Sequence, residues 1–262
     1  AYGLLSGGIQ ATTNYPGADI AVTNDGDIVA GGYYGGSGID VSALGTGSSA
    51  TVTNTATLIH AEQMGNYGYG SVGIVVSADA TAGITNSGSI ESISGGLATG
   101  LMALSLTGDA NITNSGDVYV SSAADRNYGA YGLVASSASG TANVDNSGAL
   151  TVYSDGYIAI GIQANSLAGT TVNNSNSILV DGYVGYGVYA TTGDGDVAVT
   201  NGAAGRVTAD GIAASFGVLG VSTNGNVVLD NAGGIQTTAL GQSVGEFAFS
   251  SYGDVSVTNS GT

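Results

Sequence analysis

The chain has 262 residues and a formal net charge of −17, yet charged side chains occupy only 8% of its positions. Lysine is absent, and Arg126 and Arg206 are the basic residues besides His60. Nucleic-acid binding needs clustered Lys or Arg against the phosphates, so the composition argues against a nucleic-acid partner. The absence of cysteine excludes disulfides and thiolate metal sites. No apolar run is long enough to insert this segment into a membrane.

A short motif of the form Val-Thr-Asn-Ser-Gly recurs nine times along the chain. The 235 residues from its first to its last asparagine make eight intervals, with a mean period of about 29.4 residues. A repeat of this length predicts a solenoid, because each unit can bury its apolar side only against its neighbours. The repeat asparagines are Asn24, Asn54, Asn86, Asn114, Asn146, Asn174, Asn201, Asn231 and Asn259.

Each repeat asparagine ends a predicted strand. Apolar residues stand two and four positions before it, as Ile112 and Ala110 do before Asn114. This period of two predicts a strand with one buried face, and the asparagine belongs to the same face. An unpaired buried amide would cost about 1–3 kcal/mol. We therefore predict that the nine amides stack into a hydrogen-bonded ladder with a structural role.

A turn and a second strand follow each asparagine. The glycine two residues later, as at Gly116, predicts a tight turn that uses positive φ. The second strand begins with inward residues such as Ile28 and Leu58. This register also places His60 inward. We interpret it as a hydrogen-bonded side chain that packs in the core, rather than as a ligand or a base.

A third predicted strand opens on a glycine, as in Gly8-Ile9-Gln10-Ala11. The segment between the second and third strands varies in length and is rich in tyrosine and glycine. Loops tolerate insertions and carry function, whereas the strands beneath them are scaffold. We therefore predict that partner contacts are made by residues of the two longest such corners: Asn66, Tyr67, Tyr69, Arg126, Asn127, Tyr128 and Tyr131.

Three strands and three corners in each repeat define the predicted fold class. It is all-β, a right-handed parallel β-helix of about nine coils with roughly 29 residues and three strands per coil. We assign residues 1–262 to a single β-helix domain. Solenoids need atypical capping repeats, and neither end has one, so we interpret the chain as a fragment of a longer protein.

Enzymatic, metal-binding and ice-binding functions are less favoured. Outward strand positions carry Thr, Ser, Asn and Ala, with no column of the carboxylates that glycan-cleaving β-helices use. We therefore predict that the chain is not an enzyme and has no cofactor or metal. Acidic corners such as Asp194 and Asp196 are interpreted as solvated turns rather than calcium sites. The rows of outward threonine leave an ice-binding face as a minor alternative.

Glu246 leaves two interpretations open. It follows Gly245 at the place where other coils have Ile, Leu or Val. Either the carboxylate is buried, or the register shifts locally and Phe247 and Phe249 turn inward.

The Val-Thr-Asn-Ser-Gly motif, followed by a Tyr-Gly-(Ile/Val/Leu)-x-Ala strand, resembles the repeats of bacterial type V autotransporter passenger domains. The resemblance covers the chain from Gly8-Ile9-Gln10-Ala11 to Val257-Thr258-Asn259-Ser260-Gly261. It implies a bacterial cell-surface or extracellular stalk, commonly an adhesin, attached to the outer membrane through a C-terminal barrel outside this sequence. Its partners would be cell surfaces, glycans or sister β-helices, with end-to-end or lateral self-association. A self-assembling extracellular filament subunit is the alternative function.

Overall fold

The computed structural model describes residues 2–65, 70–123 and 128–261. It shows an all-β parallel solenoid of about nine turns, with roughly 29 residues per turn. The described strands, in chain order, are β1 Tyr2–Thr13, β2 Ile20–Asn24, β3 Ile28–Ala43, β4 Ala50–Asn54, β5 Leu58–Gln63, β6 Gly70–Ala78, β7 Ala82–Asn86, β8 Ser89–Ser94, β9 Ala98–Ser105, β10 Ala110–Asn114, β11 Val118–Ser122, β12 Ala130–Ser137, β13 Thr141–Asn146, β14 Leu150–Ser154, β15 Ile158–Ser166, β16 Gly169–Asn174, β17 Ser177–Thr192, β18 Val197–Asn201, β19 Arg206–Ser222, β20 Val227–Asn231, β21 Gly234–Ala239, β22 Gln242–Ser250 and β23 Val255–Asn259.

The strands that end in a repeat asparagine form a nine-stranded sheet, which we call face 1. Its order is β2-β4-β7-β10-β13-β16-β18-β20-β23, so each strand pairs with the equivalent strand of the next coil. The pairing is parallel, and each repeat asparagine lies opposite the next, as Asn114 does with Asn146. The predicted repeat and its register on this face are confirmed.

The remaining 14 strands form one sheet that is folded into two faces. The first part of β3 pairs with β5 and its last part pairs with β6. We call the part of the sheet nearer the asparagine turn face 2 and the part beyond it face 3. The second and third strands predicted for each coil are separate in most coils. In β3, β17 and β19 they run together as a single strand.

The core consists of columns of aliphatic side chains that run along the solenoid. On face 3 one column contains Ile39, Ile74, Leu101, Leu133 and Ile162, all fully buried. Burial of each such side chain stabilises the fold by roughly 1.5–3 kcal/mol. The solenoid is therefore held together by contacts between successive coils.

The glycines near the start of face 3 are required by close packing against face 2. A Cβ on Gly161 would lie 2.6 Å from the carbonyl oxygen of Gly187 and nearer still to Cγ2 of Ile178. Gly73 and Gly217 meet the equivalent Ile90 and Ile235 in the same way. A side chain here would force a large aliphatic core residue out of its column.

The expectation of positive φ at the glycine after each asparagine is wrong. Among described residues the positive-φ glycines are Gly17, Gly47, Gly70 and Gly169. At Gly116 the constraint is instead steric, because a Cβ would overlap the carbonyl of Gly88 in the preceding coil. Stacking of the turns, rather than their dihedral angles, selects glycine there.

The predicted register of the second coil is also wrong by one residue. Ile59, not Leu58, lies opposite Ile28 and Ile90 in the core column. The turn after Asn54 holds one more residue than the turns of the neighbouring coils, and a one-residue shift reverses which side chains face inward. His60 therefore points outward, with Nδ1 2.8 Å from Oε2 of Glu91.

The structure decides between the two interpretations of Glu246. Glu246 lies opposite Val218 and so ends an inward column of aliphatic residues. Phe247 and Phe249 remain outside, 42% and 49% exposed. Burial raises the pKa of Glu246, and its Oε1 atom has no hydrogen-bond partner among the described residues.

Candidate interaction surface

The asparagine ladder is continuous from Asn24 to Asn259. Asn114 Nδ2 donates to Asn146 Oδ1 at 2.9 Å and to the carbonyl oxygen of Gly116 at 2.8 Å. Asn86 Nδ2 donates in turn to Asn114 Oδ1 at 2.8 Å. The same side-chain bond joins every successive pair of repeat asparagines. Both amide hydrogens of Asn114 are therefore used inside the protein.

The acidic corner residues mostly bond to the backbone of the adjacent coil. Asp109 Oδ1 accepts hydrogen bonds from the backbone N–H of Thr141 at 2.8 Å and from its hydroxyl at 2.9 Å. Asp196 Oδ1 accepts from the N–H of Asn226 at 2.7 Å. These carboxylates satisfy amides at the coil ends, where the ladder of backbone bonds is interrupted.

A row of tyrosines lies at the corner between face 2 and face 3. Ile158 pairs with Val184, and Ala130 pairs with Ala159. Tyr128, Tyr157 and Tyr183 therefore occupy equivalent positions in three consecutive coils. They are 46%, 45% and 48% exposed. At ~4.8 Å per coil the row is about 10 Å long. We call these three residues the tyrosine row.

The predicted contact residues divide into two groups. Asn66, Tyr67, Tyr69, Arg126 and Asn127 lie outside the described residues. Tyr128 belongs to the tyrosine row. Tyr131 is half-buried, and its pKa is raised first by burial and then by the neighbouring Tyr157. Tyr131 thus packs into the corner, while Tyr128 is presented to solvent.

An acidic cleft adjoins the end of this row. Tyr153, Asp155, Asp181, Tyr183 and Ile212 are among the residues that line a cleft of about 190 Å³. Burial raises the pKa of Asp181, and the charges of Asp210 and Asp155 raise it further. The cleft therefore concentrates negative charge between aromatic side chains.

The expectation that no outward carboxylates line up between coils is wrong at this cleft. Asp181 and Asp210 lie directly opposite each other on β17 and β19. Asp181 is seven residues after Asn174, and Asp210 is nine after Asn201. The two-residue insertion after Asn201 hides the match in the sequence. Counting forward from the turn residue shows the match, because Asp181 and Asp210 each lie five residues after it, at Asn176 and Gly205.

Other features of a functional site are limited in the part of the chain that the structure describes. No group of three or more His, Asp or Glu residues there is placed to hold a metal ion. No described helix has the length and apolar character needed to cross a membrane.

Comparison of the chain with protein-family models, with curated proteins and with solved structures finds no match. The fold defines the chain as a parallel β-solenoid with an asparagine ladder. The kinship with autotransporter passenger domains stays a hypothesis based on the repeat motif.

Proposed function

We propose that this chain is a non-enzymatic structural and adhesive solenoid of a bacterial cell surface or extracellular protein, similar to an autotransporter passenger. Its partners are cell surfaces, glycans or sister solenoids. The observation that carries the proposal is the tyrosine row, which three consecutive coils present at one corner.

The chemistry of the row supports a contact role. Tyrosine offers a large, rigid surface with both apolar and hydrogen-bonding parts, and little side-chain entropy is lost when it binds. Tyr128, Tyr157 and Tyr183 each expose nearly half of their surface. Parallel pairing of β12, β15 and β17 sets the spacing of the coils that carry them, so the row is a rigid platform.

A structural role for the rest of the chain fits how its polar side chains are used. The ladder asparagines bond to one another, and corner residues such as Asp109 bond to backbone amides. These side chains hold coils together and are not arranged around a reacting group. We therefore propose no catalytic residue, cofactor or metal.

The test measures adhesion of the chain coated on microspheres to bacterial cells and to glycan surfaces. Combined replacement of Tyr128, Tyr157 and Tyr183 with Ser should reduce adhesion at least tenfold and leave the β-sheet circular dichroism spectrum unchanged. The matched control replaces three exposed tyrosines outside the row, Tyr15, Tyr119 and Tyr252, and should adhere like the parent. Equal adhesion of both triple variants would refute a role for the row.

A self-assembling extracellular filament is the second candidate function. It is favoured by the strict register of the coils, since each coil pairs with the next through the same parallel backbone edge. Unpaired strand edges readily pair with other chains. Growth of particles along one axis in electron micrographs of the purified chain would support it, and discrete particles of one or two chains would not.

A further inference from the structure

Face 3 carries an extended outward surface that differs from the rest of the molecule. Two outward columns cross seven of its nine strands, namely β6, β9, β12, β15, β17, β19 and β22. In the first column six of the seven members are apolar or aromatic: Val75, Met102, Val134, Tyr189, Leu219 and Phe247. Of these, Val134 is covered by its neighbours and only 8% exposed. The second column adds Leu104, Val221 and Phe249 among Ser, Thr and Asn. The side chains between these columns point inward and form the core.

This surface has no charge in a strongly acidic protein. None of the 14 residues that these seven strands contribute to the two columns is charged at neutral pH, although the chain carries 19 Asp and Glu residues. The first column continues beyond Val75 to Asp40 on β3, so the uncharged surface ends there. The equivalent outward column of face 1 is polar by contrast, with Thr113, Asp145 and Asn173 in successive strands.

Aromatic contacts strengthen one half of the surface. Tyr186 stacks on Phe216 with ring centroids 5.0 Å apart and lies 5.5 Å from Tyr189. All three phenylalanines of the sequence, Phe216, Phe247 and Phe249, lie on β19 and β22. Aromatic residues at this density on an outward sheet face are typical of contact surfaces.

We infer that this apolar face is a lateral interface between two copies of the chain. A footprint of seven strands by about five residues covers roughly 500 Å², so two copies would bury roughly 1,000 Å². That value lies at the lower end of specific protein interfaces and indicates a reversible dimer.

Charge argues for a second copy as the occupant. A basic partner would bind the acidic faces rather than this one, and a negatively charged lipid surface would repel a chain of net charge −17 that has only two Arg and no Lys. When two copies meet through face 3, their carboxylates on faces 1 and 2 point away from each other. Sheets that pack face to face lie about 10 Å apart, a gap that the outward side chains of the two copies would fill.

Sedimentation velocity over a wide range of concentrations tests the interface with charge-matched variants. The parent should form a dimer as its concentration rises. The double variant Met102→Glu/Leu219→Glu should raise the dissociation constant at least tenfold. The control Thr113→Glu/Thr171→Glu, which places the same charge on exposed positions of face 1, should dimerise like the parent. A parent that stays monomeric, or equal weakening of both variants, would overturn the proposal.

A second measurement does not depend on the charged variants folding. The chain has no cysteine, so spin labels can be attached singly at Ser136→Cys on face 3 or Thr113→Cys on face 1. The proposal predicts a shorter distance between chains for the Ser136 label than for the Thr113 label. The reverse order, or chains that add end to end without stopping at two, would contradict it. Binding to phosphatidylcholine vesicles in place of dimer formation would also overturn it.

Discussion

Asn114 and Asn146 are joined through their side-chain amides at 2.9 Å, although 32 residues separate them in the sequence. Both side chains are almost fully buried. Each side chain therefore depends on the other for its hydrogen bond, because water cannot reach the buried amides to replace it. The buried amide in one coil is therefore satisfied only if the next coil also carries an asparagine at the equivalent position.

Asn114→Ala should lower the free energy of unfolding by about 2–4 kcal/mol, because it leaves a donor of Asn86 and an acceptor of Asn146 buried without partners. Chemical denaturation measures the loss. Asn259→Ala is the matched control at the exposed end of the ladder and should cost less than about 1 kcal/mol. Equal stability of Asn114→Ala and the parent would refute a structural ladder.

Gly161→Ala should destabilise the solenoid by about 1–3 kcal/mol or more, since the new methyl group would overlap Ile178 and the Gly187 carbonyl. Gly26→Ala provides the control, because a Cβ on Gly26 has no neighbour within 4 Å. Thermal unfolding of the two variants should separate them clearly. If both unfold at the parent's temperature, the close contact between face 3 and face 2 is not as described.

Glu246→Gln should change how stability depends on pH. Burial raises the pKa of Glu246, so the folded state holds this proton more tightly than the unfolded chain does. The glutamate therefore lowers stability as the pH rises above the ordinary pKa of glutamate, and glutamine removes this effect.

The difference in melting temperature between Glu246→Gln and the parent should thus grow from pH 4 to pH 7. Glu62→Gln, on the outward side of β5, is the comparison. A constant difference across this range would show that Glu246 is not desolvated in the folded state.

Removal of divalent cations should leave the fold unchanged. The corner carboxylates already accept bonds from the protein, as Asp196 does from the Asn226 amide at 2.7 Å. The melting temperature in EDTA is therefore expected to equal that in Ca²⁺. A large drop in EDTA that added Ca²⁺ reverses would show that these corners bind the metal.

The sequence was sufficient to predict face 1 because parity alone determines which of its residues face inward. Asn114 shares the parity of Ile112 and Ala110, and no insertion interrupts that strand in any of the nine coils. The ladder and the parallel register follow from these facts. The glycine that opens the third strand was also recognised, and the structure explains it at Gly161 by close contact with Ile178.

Face 2 was harder to predict because insertions lie between the asparagine and its strand. One added residue after Asn54 moves Ile59 into the core and His60 to the surface. Two added residues after Asn201 conceal the alignment of Asp210 with Asp181. Counting from the asparagine cannot detect such shifts, since the turn can absorb a residue without changing the strands on either side.

The central claim is that the ladder holds the solenoid together while the tyrosine row makes contact, and adhesion per folded molecule tests it most directly. Asn114→Ala and the Tyr128, Tyr157 and Tyr183 triple serine variant should be compared below the melting temperature of both. We expect Asn114→Ala to adhere like the parent despite its lower stability, and the triple variant to lose adhesion with unchanged stability. Loss of adhesion in folded Asn114→Ala, with full adhesion of the triple variant, would contradict this account.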